Sequence, residues 1–133
     1  MSIRYLYNIA LGLAAGFLVV ASVAFAAPTV AWLTFAIAAG ITAVSAGLLL
    51  LPGALAQRSL TAATGLLGIW TIVASLVFTP GTVVSLGFAS ALAFVALAVA
   101  GLTLHELTTE RVVHSFEVEG SRNRREEDSL IAA

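Results

Sequence analysis

The chain has no cysteine and no lysine, and no charged residue stands between Arg4 and Arg58 or between Arg58 and Glu106. Without cysteine there are no disulfides, no thiolate metal sites and no Cys-x-x-Cys redox chemistry. Without an ionisable side chain in two long apolar runs, proton relays, ion-coupled transport and voltage sensing lose the buried charge on which they depend. Charged residues make up 10% of the 133 and hydrophobic ones 60%, against roughly 25% charged in soluble domains. A chain this short has too little interior to hide so much apolar surface from water, so lipid must solvate it. A net charge of −1 gives no electrostatic case for nucleic acid. The lack of lysine has no functional account.

A helix needs roughly 20 apolar residues to cross about 30 Å of hydrocarbon. Each charge-free run is about twice that length, and Pro28 and Pro80 break the two runs near their middles. Proline lacks an N–H and disfavours helical geometry in the residue before it. The pattern therefore predicts an all-α, integral membrane four-helix bundle with spans at roughly 6–26, 29–51, 60–79 and 83–104. The transmembrane domain covers residues 1–104, and a cytoplasmic tail covers 105–133. Very short turns around Ala27-Pro28-Thr29 and Thr79-Pro80-Gly81-Thr82 keep adjacent helices antiparallel and close. A signal peptide competes for the first span, with Arg4 as its basic end and Ala24-Phe25-Ala26 as an A-x-A-like cleavage site. The apolar run from Ile9 to Ala27 is long for that role, and the same pattern returns later in the chain.

That return is an internal repeat. A shift of 53 residues lays Ala10-Leu11-Gly12-Leu13 over Ala63-Thr64-Gly65-Leu66. Without a gap, Val20-Ala21-Ser22 then falls on Val73-Ala74-Ser75, Phe25 on Phe78, Thr29-Val30 on Thr82-Val83 and Phe35-Ala36 on Phe88-Ala89. The chain reads as one hairpin written twice, in units of about 6–51 and 60–104. All the arginines (Arg4, Arg58, Arg111, Arg122, Arg124 and Arg125) fall on the side shared by the N-terminus, middle loop and tail. The positive-inside rule places that side in the cytoplasm. Both units then insert the same way up, related by an axis along the membrane normal rather than by inversion.

Polar residues in the spans are Asn8, Ser22, Thr34, Thr42, Ser45, Thr64, Thr71, Ser75, Ser85, Ser90 and Thr103. Hydroxyls at such depth bond a carbonyl one turn back or bridge two helices. Ser22 and Ser75 occupy equivalent places in the repeat and are expected to make a symmetric pair of interhelical contacts. Small residues give the strongest mechanistic pattern: Gly12-x-x-x-Gly16, Ala36-x-x-x-Gly40, Gly87-x-x-x-Ala91, and Gly40 with Gly47 seven apart. Residues so spaced share a face on which two backbones can approach closely. Gly12, Gly16, Gly40, Gly47, Gly87, Ser22 and Ser75 are thus the candidate helix-packing residues, serving the bundle itself or a homo-oligomeric or membrane-protein partner. Tyr5 and Tyr7 beside Arg4 suit an interfacial anchor, and Trp32 and Trp70 suit the lipid face and a functional role equally.

The tail holds all seven acidic residues, both histidines and four of the six arginines. Residues 104–113 suit a helical extension, in which Glu106 and Glu110, and Glu110 and His114, share a face. Two histidines without a stronger motif do not make a metal site. Beyond Gly120 the mixed-charge run reads as disordered. No catalytic, metal or cofactor site is expected.

Two family resemblances attach to these residues. Phe25-Ala26-Ala27-Pro28-Thr29 with Gly40 and Gly47, and Phe78-Thr79-Pro80-Gly81-Thr82 with Gly101, resemble the hairpin repeat of HdeD-like acid-resistance membrane proteins. Those proteins usually carry three hairpins, against two here. Gly68-Ile69-Trp70 followed by Ser75 is similar to the pattern of SPW-repeat membrane proteins, although Ser22-Val23-Ala24 and Ser75-Leu76-Val77 replace Ser-Pro-Trp. Four-span multidrug transporters have similar length, but they need an acidic residue in the first helix and none is present. The lack of buried ionisable groups and the small-residue faces lead to the expectation of a small bacterial or archaeal membrane protein without catalytic activity, acting by helix packing as an accessory or scaffold subunit or a stress-related envelope protein. The alternative is an oligomeric passive pore or facilitator for a small neutral or apolar solute.

Overall fold

The computed structural model describes residues 2–133, with only the helical backbone described for residues 108–116. Helices α1 (Ile3–Ala24), α2 (Ala27–Leu49), α3 (Leu55–Val77) and α4 (Pro80–Ala132) follow one another. Four helical stretches, the last being Pro80–Leu107, are long and apolar enough to cross a membrane. Helix is what hydrocarbon permits, because every backbone N–H and C=O must find a partner within its own segment. α1 starts where Ser2 Oγ accepts from Tyr5 N at 3.2 Å.

The prolines sit inside helix starts rather than in the turns. Pro28 falls in the first turn of α2 and Pro80 opens α4. The first helical turn has no intrahelical use for those N–H groups, and a fixed φ near −65° suits it. The turns shrink to Phe25-Ala26 and Phe78-Thr79. In both, the phenylalanine is extended and its N–H returns to the carbonyl four residues back, Ala21 O at 3.0 Å and Ala74 O at 3.1 Å.

α2 contacts α3 more extensively than it contacts α1. Small residues rather than turn length explain this. A Cβ at Gly65 would stand 3.4 Å from Ser45 Cβ, and one at Gly68 would meet Thr42 and lie 3.4 Å from the Ala38 carbonyl oxygen, so α3 rides close on α2. α1 meets α4 at Gly12, whose Cβ would lie 3.6 Å from Ala98 Cβ. α2 meets α4 at Thr34 and Gly87. The core is Leu11, Ala15, Ile41, Phe94 and Ala98, flanked by Tyr7, Ile37, Leu67 and Val95.

Burial follows the 53-residue register. Each of the ten buried positions in α1 and α2, from Leu11 to Leu48, has a buried counterpart 53 residues on, from Thr64 to Gly101. The additional buried positions Thr61, Gly65 and Ser90 match Asn8, Gly12 and Ile37, all half-buried.

The chain divides into two compact units, Met1–Leu102 and Thr103–Ala133. In the second, helix continues to Ala132 where disorder was expected beyond Gly120. Arginine and glutamate are good helix formers, and Arg122–Glu126 and Arg124–Asp128 have the i, i+4 spacing of opposite charges. These outweigh the roughly 1 kcal/mol cost of Gly120. The Ser121 and Ser129 hydroxyls donate back to Val118 O and Glu126 O. The expected pairings of Glu110 with Glu106 and His114 fall on residues 110 and 114, outside the described side chains.

The close approach at Gly68 is testable. Gly68→Ala is expected to destabilise the bundle by about 1–3 kcal/mol, whereas Gly40→Ala, which meets open space, leaves it unchanged or slightly better. Unfolding by denaturing detergent from mixed micelles measures both.

Candidate functional site

Polar side chains of the bundle concentrate where α1 begins and α2 ends. Arg4, Tyr7 and Asn8 lie three and four apart and so share one face of α1. Arg4 Nη2 donates to Leu51 O at 3.2 Å and to Pro52 O at 3.0 Å, with its guanidinium laid over Gly53. Arg58 Nη2 adds a longer bond to Leu49 O, 3.4 Å. The last carbonyls of a helix lack intrahelical donors and carry partial negative charge, which a cation satisfies. Arg58 therefore caps α2 at Leu49, and Arg4 holds the middle connection just beyond the helix end, uses that their count in the charge-bias argument gave no hint of. Arg4 Nη1 is buried without a partner.

One turn deeper, the Tyr7 hydroxyl meets Ser45 Oγ at 2.6 Å, tying α1 to α2. The Thr64 hydroxyl of α3 lies against the same phenol. Tyr7 is thus half-buried and interhelical. Next to it the Asn8 carboxamide covers Gly101 of α4, 2.6 Å from where a Cβ would stand. Residues of all four helices converge here. The spacing of Tyr7 from Arg4 was visible in the sequence, but its partner, 38 residues away, was not.

The expected packing residues separate into groups. Gly12 and Gly87 face neighbouring helices. Gly16, Gly40 and Gly47 have open space where a Cβ would stand, which corrects the expectation that they pack within this bundle. Ser22 and Ser75 do not bridge helices. Ser22 Oγ donates to Val19 O at 2.7 Å and Ser75 Oγ to Thr71 O at 2.7 Å, because a carbonyl of the same helix is always within reach. Thr42, Thr61, Thr64 and Thr71 make the same kind of bond to the carbonyl four residues back. Thr34 differs from these four threonines, with its Oγ1 buried and unpartnered. Trp32 is 74% exposed and stands edge-on to Phe35, ring centroids 6.2 Å apart. Trp70 is also exposed.

Two grooves open on the apolar surface. One of about 480 Å³ runs between α1 and α2 past Leu6, Tyr7, Ala10, Ile37, Gly40 and Val44. The other, about 380 Å³, lies near the opposite ends, between Pro28, Trp32, Phe35, Ser75 and Pro80. Among the described residues no three His, Asp or Glu side chains gather as a metal site would require. Chemically, the convergence of Arg4, Tyr7, Asn8, Ser45 and Thr64 can hold helices in register and accept or donate hydrogen bonds.

No protein-family model, curated protein or solved structure matches this chain.

Tyr7→Phe and Ser45→Ala are each expected to cost about 0.5–2 kcal/mol, and the double variant little more than either, in a double-mutant cycle of detergent unfolding. Arg4→Gln is expected to speed amide hydrogen exchange across residues 50–54 while leaving the centre of α3 protected.

Proposed function

We propose that this is a small multi-span membrane protein that works by helix packing, as an accessory or scaffold subunit or a stress-related envelope protein. The observation that carries this reading is how the polar groups are spent. The hydroxyls of Ser22, Thr42, Thr61, Thr64, Thr71 and Ser75 turn to their own helix backbone, and Tyr7 and Ser45 are spent on each other. A solute path would instead keep such groups facing a lumen, and the bundle centre is filled by Phe94, fully buried. Outward-facing Gly40 and Gly47 on α2 leave room for another helix to approach closely. The HdeD-like and SPW-repeat resemblances belong to the same reading, as does a two-unit origin of the bundle. The N- and C-termini face the cytoplasm, on the distribution of arginines.

Gentle purification from native membranes followed by native mass spectrometry is expected to give a defined heteromeric particle. A homo-oligomer that carries solute flux in proteoliposomes would replace this reading with the pore. Reporter fusions at the C-terminus are expected to fluoresce as a cytoplasmic fusion does and to lack periplasmic phosphatase activity; the reverse would invert the orientation.

A further inference from the structure

Contacts between helices recur under the same 53-residue shift as the sequence. Gly65 of α3 packs on Ser45 of α2, where a Cβ would lie 3.4 Å from Ser45 Cβ. Their counterparts are Gly12 of α1 and Ala98 of α4, and these two also meet, at 3.6 Å. The α1–α4 contact is therefore the α3–α2 contact seen a second time. Thr34 and Gly87 are counterparts of each other, and they touch. A Cβ at Gly87 would stand 3.0 Å from Thr34 Oγ1 and 3.3 Å from its Cγ2. When a position contacts its own counterpart, the symmetry axis passes between the two.

We propose that residues 3–49 and 55–102 meet through one quasi-isologous interface whose two-fold axis passes between Thr34 and Gly87, so that the surface each half presents fits a second copy of the same half. In an isologous interface residue i touches j and j touches i, and at the axis a residue faces itself. The side chains at this axis are matched by difference. Two threonines would not fit, since even a bare Cβ at 87 already presses on Thr34. Two glycines would leave a hole. One threonine beside one glycine fills the crossing, which accounts for unlike residues at the centre of a like-on-like interface. It also accounts for the unpartnered hydroxyl: Thr34 is held by packing, whereas Thr42, Thr61, Thr64 and Thr71 bond the carbonyl one turn back. The coincidence of buried positions between the halves follows from the same axis. This inference is independent of the accessory role, because it concerns how the bundle closes on itself.

The full chain carries the test, and its lack of cysteine makes paired cysteines unambiguous. The Cβ separations implied at S45C/G65C, G12C/A98C and T42C/G68C are 3.4, 3.6 and 3.4 Å, close to the roughly 3.5–4.5 Å of a disulfide. The symmetry counterpart of the third pair is A15C/V95C. All four variants, oxidised in the membrane, are expected to form a disulfide within one chain. Closure of T42C/G68C without closure of A15C/V95C would overturn the proposal. For the axis itself, Gly87→Thr is expected to lower the melting temperature by roughly 5 °C or more. The exchanged variant T34G/G87T is then expected to melt above both single variants. Simple relief of crowding would leave it no better than Thr34→Gly alone, and that result would also overturn the proposal. Should Gly87→Thr fail to fold, the disulfide set decides alone.

Discussion

Hydrocarbon offers a polar group nothing to bond to, and this constraint shapes nearly every feature of the bundle. It selects helices, because only there does each backbone group find a partner in its own segment. It turns the hydroxyls of Ser22, Thr42, Thr61, Thr64, Thr71 and Ser75 onto the preceding turn of their own helix. It draws Arg58 onto the Leu49 carbonyl that ends α2, and Arg4 onto the Leu51 and Pro52 carbonyls of the connection that follows. It makes Tyr7 and Ser45 partners across the α1–α2 interface.

The same solvent removes the usual reason for helices to associate, because lipid tails are as apolar as leucine. What remains is dispersion, which rewards close approach and falls steeply with a small gap. Contact therefore concentrates where side chains are smallest. Gly65 and Gly68 bring α3 onto α2, and Gly12 brings α1 onto α4. Between α1 and α2 no glycine performs that service, and a groove opens instead, with Gly40 on its wall. Glycine thus marks both the tightest seam of the molecule and one of its vacant faces, depending on which way the helix is turned.

Much of this architecture was legible in the sequence, for physical reasons that differ by feature. Number and placement of spans follow from charge-free length, which is a bulk property and robust to local detail. Proline is at home both in a turn and in the first turn of a helix, and Pro28 and Pro80 take the second place. The pairing of Ser22 with Ser75 followed from repeat symmetry but overlooked the backbone carbonyl that is always nearer. Gly16, Gly40 and Gly47 carry the spacing of a packing face, yet spacing says only that residues share a face, not what the face meets. The tail beyond Gly120 was read from its composition, while the i, i+4 placement of its charges favours helix. Contacts such as Tyr7–Ser45 and Arg4–Leu51 span most of a hairpin, and no local pattern encodes them.

The pairing of α1 with α4 has a consequence for biogenesis. A nascent chain delivers its helices to the membrane in order, so α2 and α3 can pair as soon as the middle connection has emerged. α1 precedes its partner by two helices and waits for its Gly12 seam to be covered until α4 is released. Through that interval the first helix has α2 beside it through the lighter contact and the Tyr7–Ser45 bond. Closure of the bundle therefore depends on α4, and a chain interrupted before residue 98 would leave the Gly12 seam of its opening helix uncovered.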